Sequence, residues 1–147
     1  MKKILVTRKL LKENEEKLKE LFDVKLNQND ELYSSDKIIE LSKDCDGILS
    51  AITDKFDEAL INKLSPSVKI IANFAVGFGN IDINAAKKRN IVVTNTPEVL
   101  DDATADIAIL LLLGASRKVL EARRAAEKQD WKWSANFLLG KQMSNKK

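Results

Sequence analysis

Between Ile4 and Thr94, short apolar runs alternate with stretches in which apolar residues recur every three or four positions. Ile4–Thr7, Val24–Leu26, Gly47–Ala51, Lys69–Phe74 and Ile91–Thr94 have the length and β-branched content of strands. Leu10–Phe22, Ser35–Lys43, Asp57–Leu64 and Ile81–Arg89 carry the helical period, with Ile38, Ile39 and Leu41 marking the inward side of the second. The strands are apolar throughout instead of alternating with polar residues, the pattern of a parallel sheet covered by helices on both faces.

After Pro97 the pattern changes. Asp101 or Asp102 is placed to cap a helix continuing to about Lys128, about 39 Å at 1.5 Å per residue. Its first half is apolar nearly all round (Ile107, Ile109 and Leu110 to Leu113) and its second half is highly charged. Such a helix has to bury itself against a second domain or subunit. The tail from Asp130 carries Trp131, Trp133, Phe137 and Leu138, then turns polar through Asn145, Lys146 and Lys147, and reads as a connection cut before its next strand. The predicted class is α/β: a flavodoxin-like, doubly wound, parallel five-stranded sheet followed by a long interdomain helix. The division expected is 1–98 for the sheet domain and 99–147 for the helix with its tail.

Composition narrows the function classes. A chain of 147 residues that is 44% hydrophobic can bury a real core. With 25 Lys and Arg against 22 Asp and Glu, the net charge of +3 gives no ground for a nucleic-acid partner. The basic clusters Lys87 to Arg89 and Arg123 with Arg124 read as solvated helix faces. A lone Cys45 forms no internal disulfide, and the Met-Lys-Lys start is unlike a signal peptide, so a cytoplasmic location is expected. The longest apolar run, Ile107 to Ala115, falls well short of the roughly 20 residues of a membrane span.

In open parallel sheets ligands bind beyond the carboxyl ends of the strands. The candidates there are Thr7 and Arg8, Ser50 to Thr53, Asn73 to Asn80, and Thr94 to Thr96. The loop Val76-Gly77-Phe78-Gly79 is the sharpest, because its glycines allow a tight turn and a close approach of backbone N–H groups to an anion. Glycines needed only for the bend are the plain alternative. A dinucleotide fingerprint fails, since Asp82 stands where the third glycine belongs. A phosphoacceptor domain needs an acidic cluster after the first strand and an aspartate ending the third, where Thr7-Arg8-Lys9 and Ser50-Ala51 stand. A flavin-phosphate loop needs Ser, Thr and Gly after the first strand, and Thr7 to Leu11 lacks that set.

The segment NFAVGFGNIDINAAKKRNIVVTNTPEVLDDATADIAILLLLGASRK resembles the D-2-hydroxyacid dehydrogenases. TPEVLDDATAD with the trailing tryptophans is most similar to the glyoxylate and hydroxypyruvate reductase branch. The resemblance implies that the flavodoxin-like part is the substrate domain, and that a long helix leads into a Rossmann domain binding NAD or NADP, absent from these 147 residues. It also implies that the amides of Val76 and Gly77 hold the substrate carboxylate, that Ser50, Ala51 and Ile52 wall the pocket, and that Thr104 contacts the cofactor across the cleft. Each has a plainer reading: Thr104 as an early-helix residue bonding backbone, Asn80 organising its own turn, Asp82 capping the next helix, Pro97 stiffening a hinge.

The family reaction passes hydride between the nicotinamide and the keto carbon of a small 2-oxo or 2-hydroxy acid, with a histidine as proton donor and an arginine on the carbonyl. This chain has no histidine, and none of Arg8, Arg89, Arg117, Arg123 or Arg124 stands in the catalytic arginine's context. No catalytic residue and no metal ligand is assigned, and the chain alone is expected to be an inactive oxidoreductase fragment without tight cofactor binding. The resemblance further implies a homodimer through the 101–128 helix with Trp131 and Trp133, whose plainer reading is packing against the helix end. With its family coverings missing, the apolar run is expected to make the isolated chain self-associate. The alternative function is a stand-alone carboxylate-binding or subunit-interaction module without catalysis.

Overall fold

The computed structural model describes residues 1–129 and 131–145; the expectations placed on Asp130, Lys146 and Lys147 lie outside the described residues. It divides into two compact units, Met1–Val99 and Leu100–Lys147.

The first unit runs β1 (Lys3–Val6), α1 (Lys12–Leu21), β2 (Asp23–Lys25), α2 (Ser35–Leu41), β3 (Gly47–Ala51), α3 (Glu58–Lys63), β4 (Ile70–Phe74), α4 (Ile83–Lys88) and β5 (Val92–Thr94). The strands form one parallel sheet in the order β2-β1-β3-β4-β5. Each predicted strand and helix is present, most of them a residue or two shorter at the ends. Three helices start on side-chain caps: Ser34 accepts from the Lys37 amide, Asp57 from Leu60 and Asp82 from Ala85. Each side chain satisfies one of the orphan N–H groups of a first turn.

The register explains the core. Leu5, Ile48, Ile71 and Val93 lie side by side across β1, β3, β4 and β5. That row packs with Ile38, Phe56, Leu60, Ile61 and Ala85 in one apolar cluster. The adjacent row, Ile4, Gly47, Ile70 and Val92, points to the other face. Gly47 is required there, since a Cβ would stand 2.8 Å from Cγ2 of Ile70. Coverage of both faces was expected, yet within this unit Ile70, Phe74 and Val92 are exposed, Phe74 by 59%. A trough of about 520 Å³, lined by Ile4, Leu18, Leu49, Ile70 and Ala72 among others, opens between α1 and this second face.

Arg89 departs from the solvated reading of its basic cluster. Its guanidinium donates to the carbonyls of Ile61 (3.1 Å), Asn62 (2.5 Å) and Leu64 (2.8 Å), closing the carboxyl end of α3 from the end of α4. Helix ends leave such carbonyls unpaired, and a cation there also meets the negative end of the helix dipole.

The second unit holds α5 (Asp101–Ser116) and α6 (Val119–Lys128) in place of the single helix expected over 101–128. Lys118 turns into the left-handed region, at φ 55°. The cause is remote in sequence: the amide of Lys141 donates to the Ser116 carbonyl at 2.7 Å, taking the oxygen that a continuous helix offers to Leu120. A Cβ on Gly140 would stand 2.7 Å from the same oxygen, so only glycine fits that approach. The expected Asp cap is also absent. Leu100 occupies the cap position, and Asp101 and Asp102 sit in the first turn, where their charge faces the positive end of the dipole. Ile107, Ile109 and Leu110 to Leu113 are between 46% and 67% exposed. Trp131 stacks on Phe137 at a ring separation of 6.0 Å, a local partner, whereas Trp133 is 84% exposed. Among the described residues no helix is long and apolar enough to cross a membrane.

The Arg89 contacts set a measurable expectation. Arg89→Leu keeps the apolar stem and removes three charge-assisted bonds, so urea unfolding should show a loss of about 1.5–3 kcal/mol. An unchanged midpoint would show that water serves those carbonyls equally well.

Candidate functional site

Parallel strands release their chains at one edge of the sheet, and here polar side chains gather beneath the loops that leave it. Thr7, Asn27, Ser50, Asp54 and Asn73 are all buried, at 0–3% exposure. Buried polar groups need partners, and these partner one another across neighbouring loops. The Thr7 hydroxyl donates to Asp54 Oδ2 at 2.5 Å, and the Ala51 amide donates to the same oxygen at 2.8 Å. Asp54 Oδ1 is buried and has no protein partner among the described residues. Asn27 donates to the carbonyls of Thr7 (2.7 Å) and Glu31 (2.8 Å), tying the loop after β2 to the end of β1.

The loops after β3 and β4 are joined by carboxamides. The Ser50 hydroxyl donates to Asn73 Oδ1 at 3.0 Å, and Asn73 Nδ2 donates to Asn80 Oδ1 at 3.0 Å and to the Gly77 carbonyl at 2.9 Å. Asn80 Nδ2 in turn donates to the carbonyls of Ala51 (3.2 Å) and Asp54 (3.0 Å). Asn80 therefore organises two loops and not only its own turn. From the other side, Asn95 Nδ2 donates to the Val76 carbonyl at 2.7 Å and the Thr96 amide to the Ala75 carbonyl at 2.9 Å.

The glycine loop sits on this base. Val76, Gly77, Phe78 and Gly79 are exposed. Among the described residues no acceptor meets the amides of Val76 or Gly77. Neither Gly77 nor Gly79 adopts a positive φ, and a Cβ on either would meet nothing within 4 Å. The bend therefore does not require them, and their lack of side chains leaves open space at the loop, where the amides of Phe78 and Gly79 also lack acceptors among the described residues. Of the other residues singled out, Ser50 points beneath the edge, Ala51 is half-buried and Ile52 is exposed. Thr104 belongs to the second unit; its amide donates to Leu100 at 2.8 Å, and its side chain is exposed.

At the far side of the edge, Arg8 forks onto Asp30, with Nε to Oδ1 at 2.8 Å and Nη2 to Oδ2 at 2.9 Å, and Nη1 donates to Thr53 at 3.0 Å. Those bonds, then the Lys9 amide, hold the Asp30 carboxyl well below its ordinary value of 3.8. Asp30 and Asp54 were not distinguishable as site residues by pattern: each stands in a polar loop where a solvated side chain looks the same, whereas Asn95 falls within the Thr94 to Thr96 candidate segment. Among the described residues no three His, Cys, Asp or Glu side chains converge as a metal site.

The sequence model of the D-isomer specific 2-hydroxyacid dehydrogenase catalytic domain matches residues 4–144. The chain belongs to that family. It is 41% identical over 140 residues to a glyoxylate reductase of Korarchaeum cryptofilum, covering 94% of this chain and 42% of that one. A glyoxylate reductase of Thermococcus onnurineus is 36% identical, with the same coverage of each chain. Among solved structures, the TT0316 protein of Thermus thermophilus superposes with a TM-score of 0.82 at 31% identity, over 94% of this chain and 44% of that one. An NADPH-dependent glyoxylate/hydroxypyruvate reductase from Sinorhizobium meliloti, solved with NADP and malonate, gives 0.73 at 34% identity, over 88% and 39%. This 2-hydroxyacid dehydrogenase chain thus spans about 42% of the length of the curated relatives it matches, and its five-stranded parallel sheet is that of the family's substrate domain.

The Asp30 pairing has a direct readout. A carboxyl with a depressed folded-state pKa adds stability above its unfolded pKa, and that stability is lost as pH falls through the folded value. Urea midpoints between about pH 2 and 6 should therefore decline less steeply for Asp30→Asn than for the parent. Asp44 and Asp46, held low chiefly by Lys25 and Lys2 at the opposite edge, keep a residual slope in both proteins. Identical slopes would show that the fork gives way in solution.

Proposed function

We propose that this chain is the substrate-binding portion of an NAD(P)-dependent D-2-hydroxyacid dehydrogenase of the glyoxylate/hydroxypyruvate reductase type, in which Val76 and Gly77 hold the substrate's carboxylate. The observation that carries this reading is an exposed loop whose amides, those of Val76 and Gly77 among them, have no protein acceptor among the described residues, with open space at glycines that the turn does not need. Two N–H groups offered together to an anion form charge-assisted bonds, about twice as strong as neutral ones. Ile52, exposed beside the edge, supplies an apolar wall, while Ser50 and Ala51 hold that wall through Asn73, Asn80 and Asp54. A small 2-oxo or 2-hydroxy acid fits an anion anchor with one apolar flank.

The residues present do not fit the phosphates of a nicotinamide nucleotide. Gly77 and Gly79 lack the third glycine, and Asp82 in its place is spent capping α4. No chemical step is therefore routed through the cofactor in this chain. Thr104, exposed in the first turns of α5, is the one residue proposed to touch it. Residues 1–98 then form the substrate domain, and 99–147 the connecting and dimerising segment. The exposed apolar residues of α5 with Trp133 fit a homodimer interface, where aromatics are enriched. The buried free Cys45 suits a cytoplasmic enzyme.

Two measurements test the proposal. Gly77→Val should leave stability within about 0.5 kcal/mol of the parent, yet abolish the response of the Val76 and Gly77 amides to glyoxylate in ¹⁵N-edited NMR spectra. Early unfolding of that variant would make the glycine a folding requirement, and an unresponsive parent chain would remove the carboxylate assignment. The purified chain should also fail to oxidise NADH with glyoxylate or hydroxypyruvate, having no histidine to supply acid catalysis, which typically contributes about 10²–10⁴ in rate. Turnover would refute the assignment as a binding portion.

A further inference from the structure

Three consecutive peptide units of the glycine loop have their carbonyls held from behind. The Ala75 carbonyl accepts from the Thr96 amide at 2.9 Å, the Val76 carbonyl from Asn95 Nδ2 at 2.7 Å, and the Gly77 carbonyl from Asn73 Nδ2 at 2.9 Å. Each carbonyl shares a rigid plane with the N–H of the following residue, and in a trans unit the two point in opposite directions. No cis peptide bond interrupts the described residues. Holding the Ala75 oxygen therefore aims the Val76 N–H, and holding the Val76 oxygen aims the Gly77 N–H. Both amides are directed away from the 95–96 segment, toward the side on which no protein acceptor meets them.

Two of the three holding groups are fixed by other duties. Thr96 donates through its backbone, and Asn73 is buried in the network beneath the edge. Asn95 differs. It is half-buried, it follows the last residue of β5, and its only side-chain hydrogen bond among the described residues is the one to Val76. We propose that Asn95 is a positioning residue of the carboxylate site, fixing the direction of the Gly77 N–H by holding the Val76 carbonyl. The inference rests on the reading of Val76 and Gly77 as the carboxylate's donors. Its physical content is twofold. A peptide held in advance loses little freedom when the anion arrives. A bond accepted at the carbonyl also polarises the unit and strengthens its N–H as a donor, by about 10–30% in condensed-phase estimates.

The test uses the ¹⁵N-labelled 147-residue chain, with glyoxylate as probe. Asn95→Leu is close to isosteric and lacks the donor; Asn95→Gln keeps a carboxamide on a longer stem. Asn95→Leu should bind glyoxylate about tenfold more weakly, the scale of one lost hydrogen bond to a positioned group, with an unfolding midpoint close to the parent's. Asn95→Gln should recover part of the affinity. In the ligand-free spectrum of Asn95→Leu the Gly77 ¹⁵N resonance should move, because it responds to hydrogen bonding at its own unit's carbonyl. Parent-like affinity in Asn95→Leu, within about twofold, or an unmoved Gly77 resonance overturns the positioning role and leaves the carboxylate reading intact. A parent chain whose Val76 and Gly77 amides ignore glyoxylate overturns that reading instead, and the role of Asn95 falls with it.

Discussion

A parallel sheet sends all of its strands out through the same edge, and no hairpin turn joins neighbours there. The loops at that edge must be tied together by something other than the ladder, or their buried polar backbone is left unpaired at about 1–3 kcal/mol each. In this chain side chains join every neighbouring pair of loops, beside a few backbone bonds such as Thr96 to Ala75: Asn27 from β2 to β1, Thr7 with Asp54 from β1 to β3, Asn80 with Asn73 and Ser50 between β3 and β4, and Asn95 from β5 to β4. Asn80 is the central member, since its amide reaches two carbonyls of the β3 loop while its oxygen accepts from Asn73. The exposed surface takes its shape from this lattice.

The lattice also explains which residues a ligand can reach. A side chain committed to holding a loop is not free for a ligand, and by that criterion Ser50, Asn73, Asn80 and Asp54 serve the frame. The uncommitted groups include the backbone amides of the glycine loop, Val76 to Gly79, and the exposed side chain of Ile52 follows β3 directly. An anion site of this kind needs no charged side chain, because N–H dipoles set in place during folding require no rearrangement on binding.

Much of this was legible in the sequence, and the parts that were not share a cause. Strand and helix order came from period alone, since burial of one row, Leu5, Ile48, Ile71 and Val93, fixes register. The cap at Asp82 came from local chemistry, whereas Asp57, read as the first helical residue, proves to be a cap as well. The break at Lys118 did not, because it depends on Gly140 and Lys141 docking on Ser116 from more than twenty residues away, and the helix-forming residues around it favour continuation. Arg89 likewise looked like one of three basic residues on a helix, and only the neighbouring helix end reveals its carbonyl partners. Of the two reasons the glycines offered, a tight turn and close approach to the backbone, the structure removes the first, since neither adopts a positive φ, and shows open space at both.

The second face of the sheet gives the last step. Leu5 and Ile71 are closed over by helices, whereas Ile70, Phe74 and Val92 on the opposite side are exposed within the first unit. At about 25 cal/mol per Å² of apolar surface, leaving such side chains in water forgoes on the order of 1.5–3 kcal/mol each relative to burial. Their sequence is nonetheless that of strands meant to be covered twice, as the run Ile70, Ile71, Ala72 shows. The two faces thus do different work. The closed face carries the main apolar cluster of the first unit, and it holds the buried row of Thr7, Ser50 and Asn73 that continues from Leu5, Ile48 and Ile71 two residues on. The candidate site is therefore anchored to the face that is already complete, so its geometry does not wait on whatever covers the other.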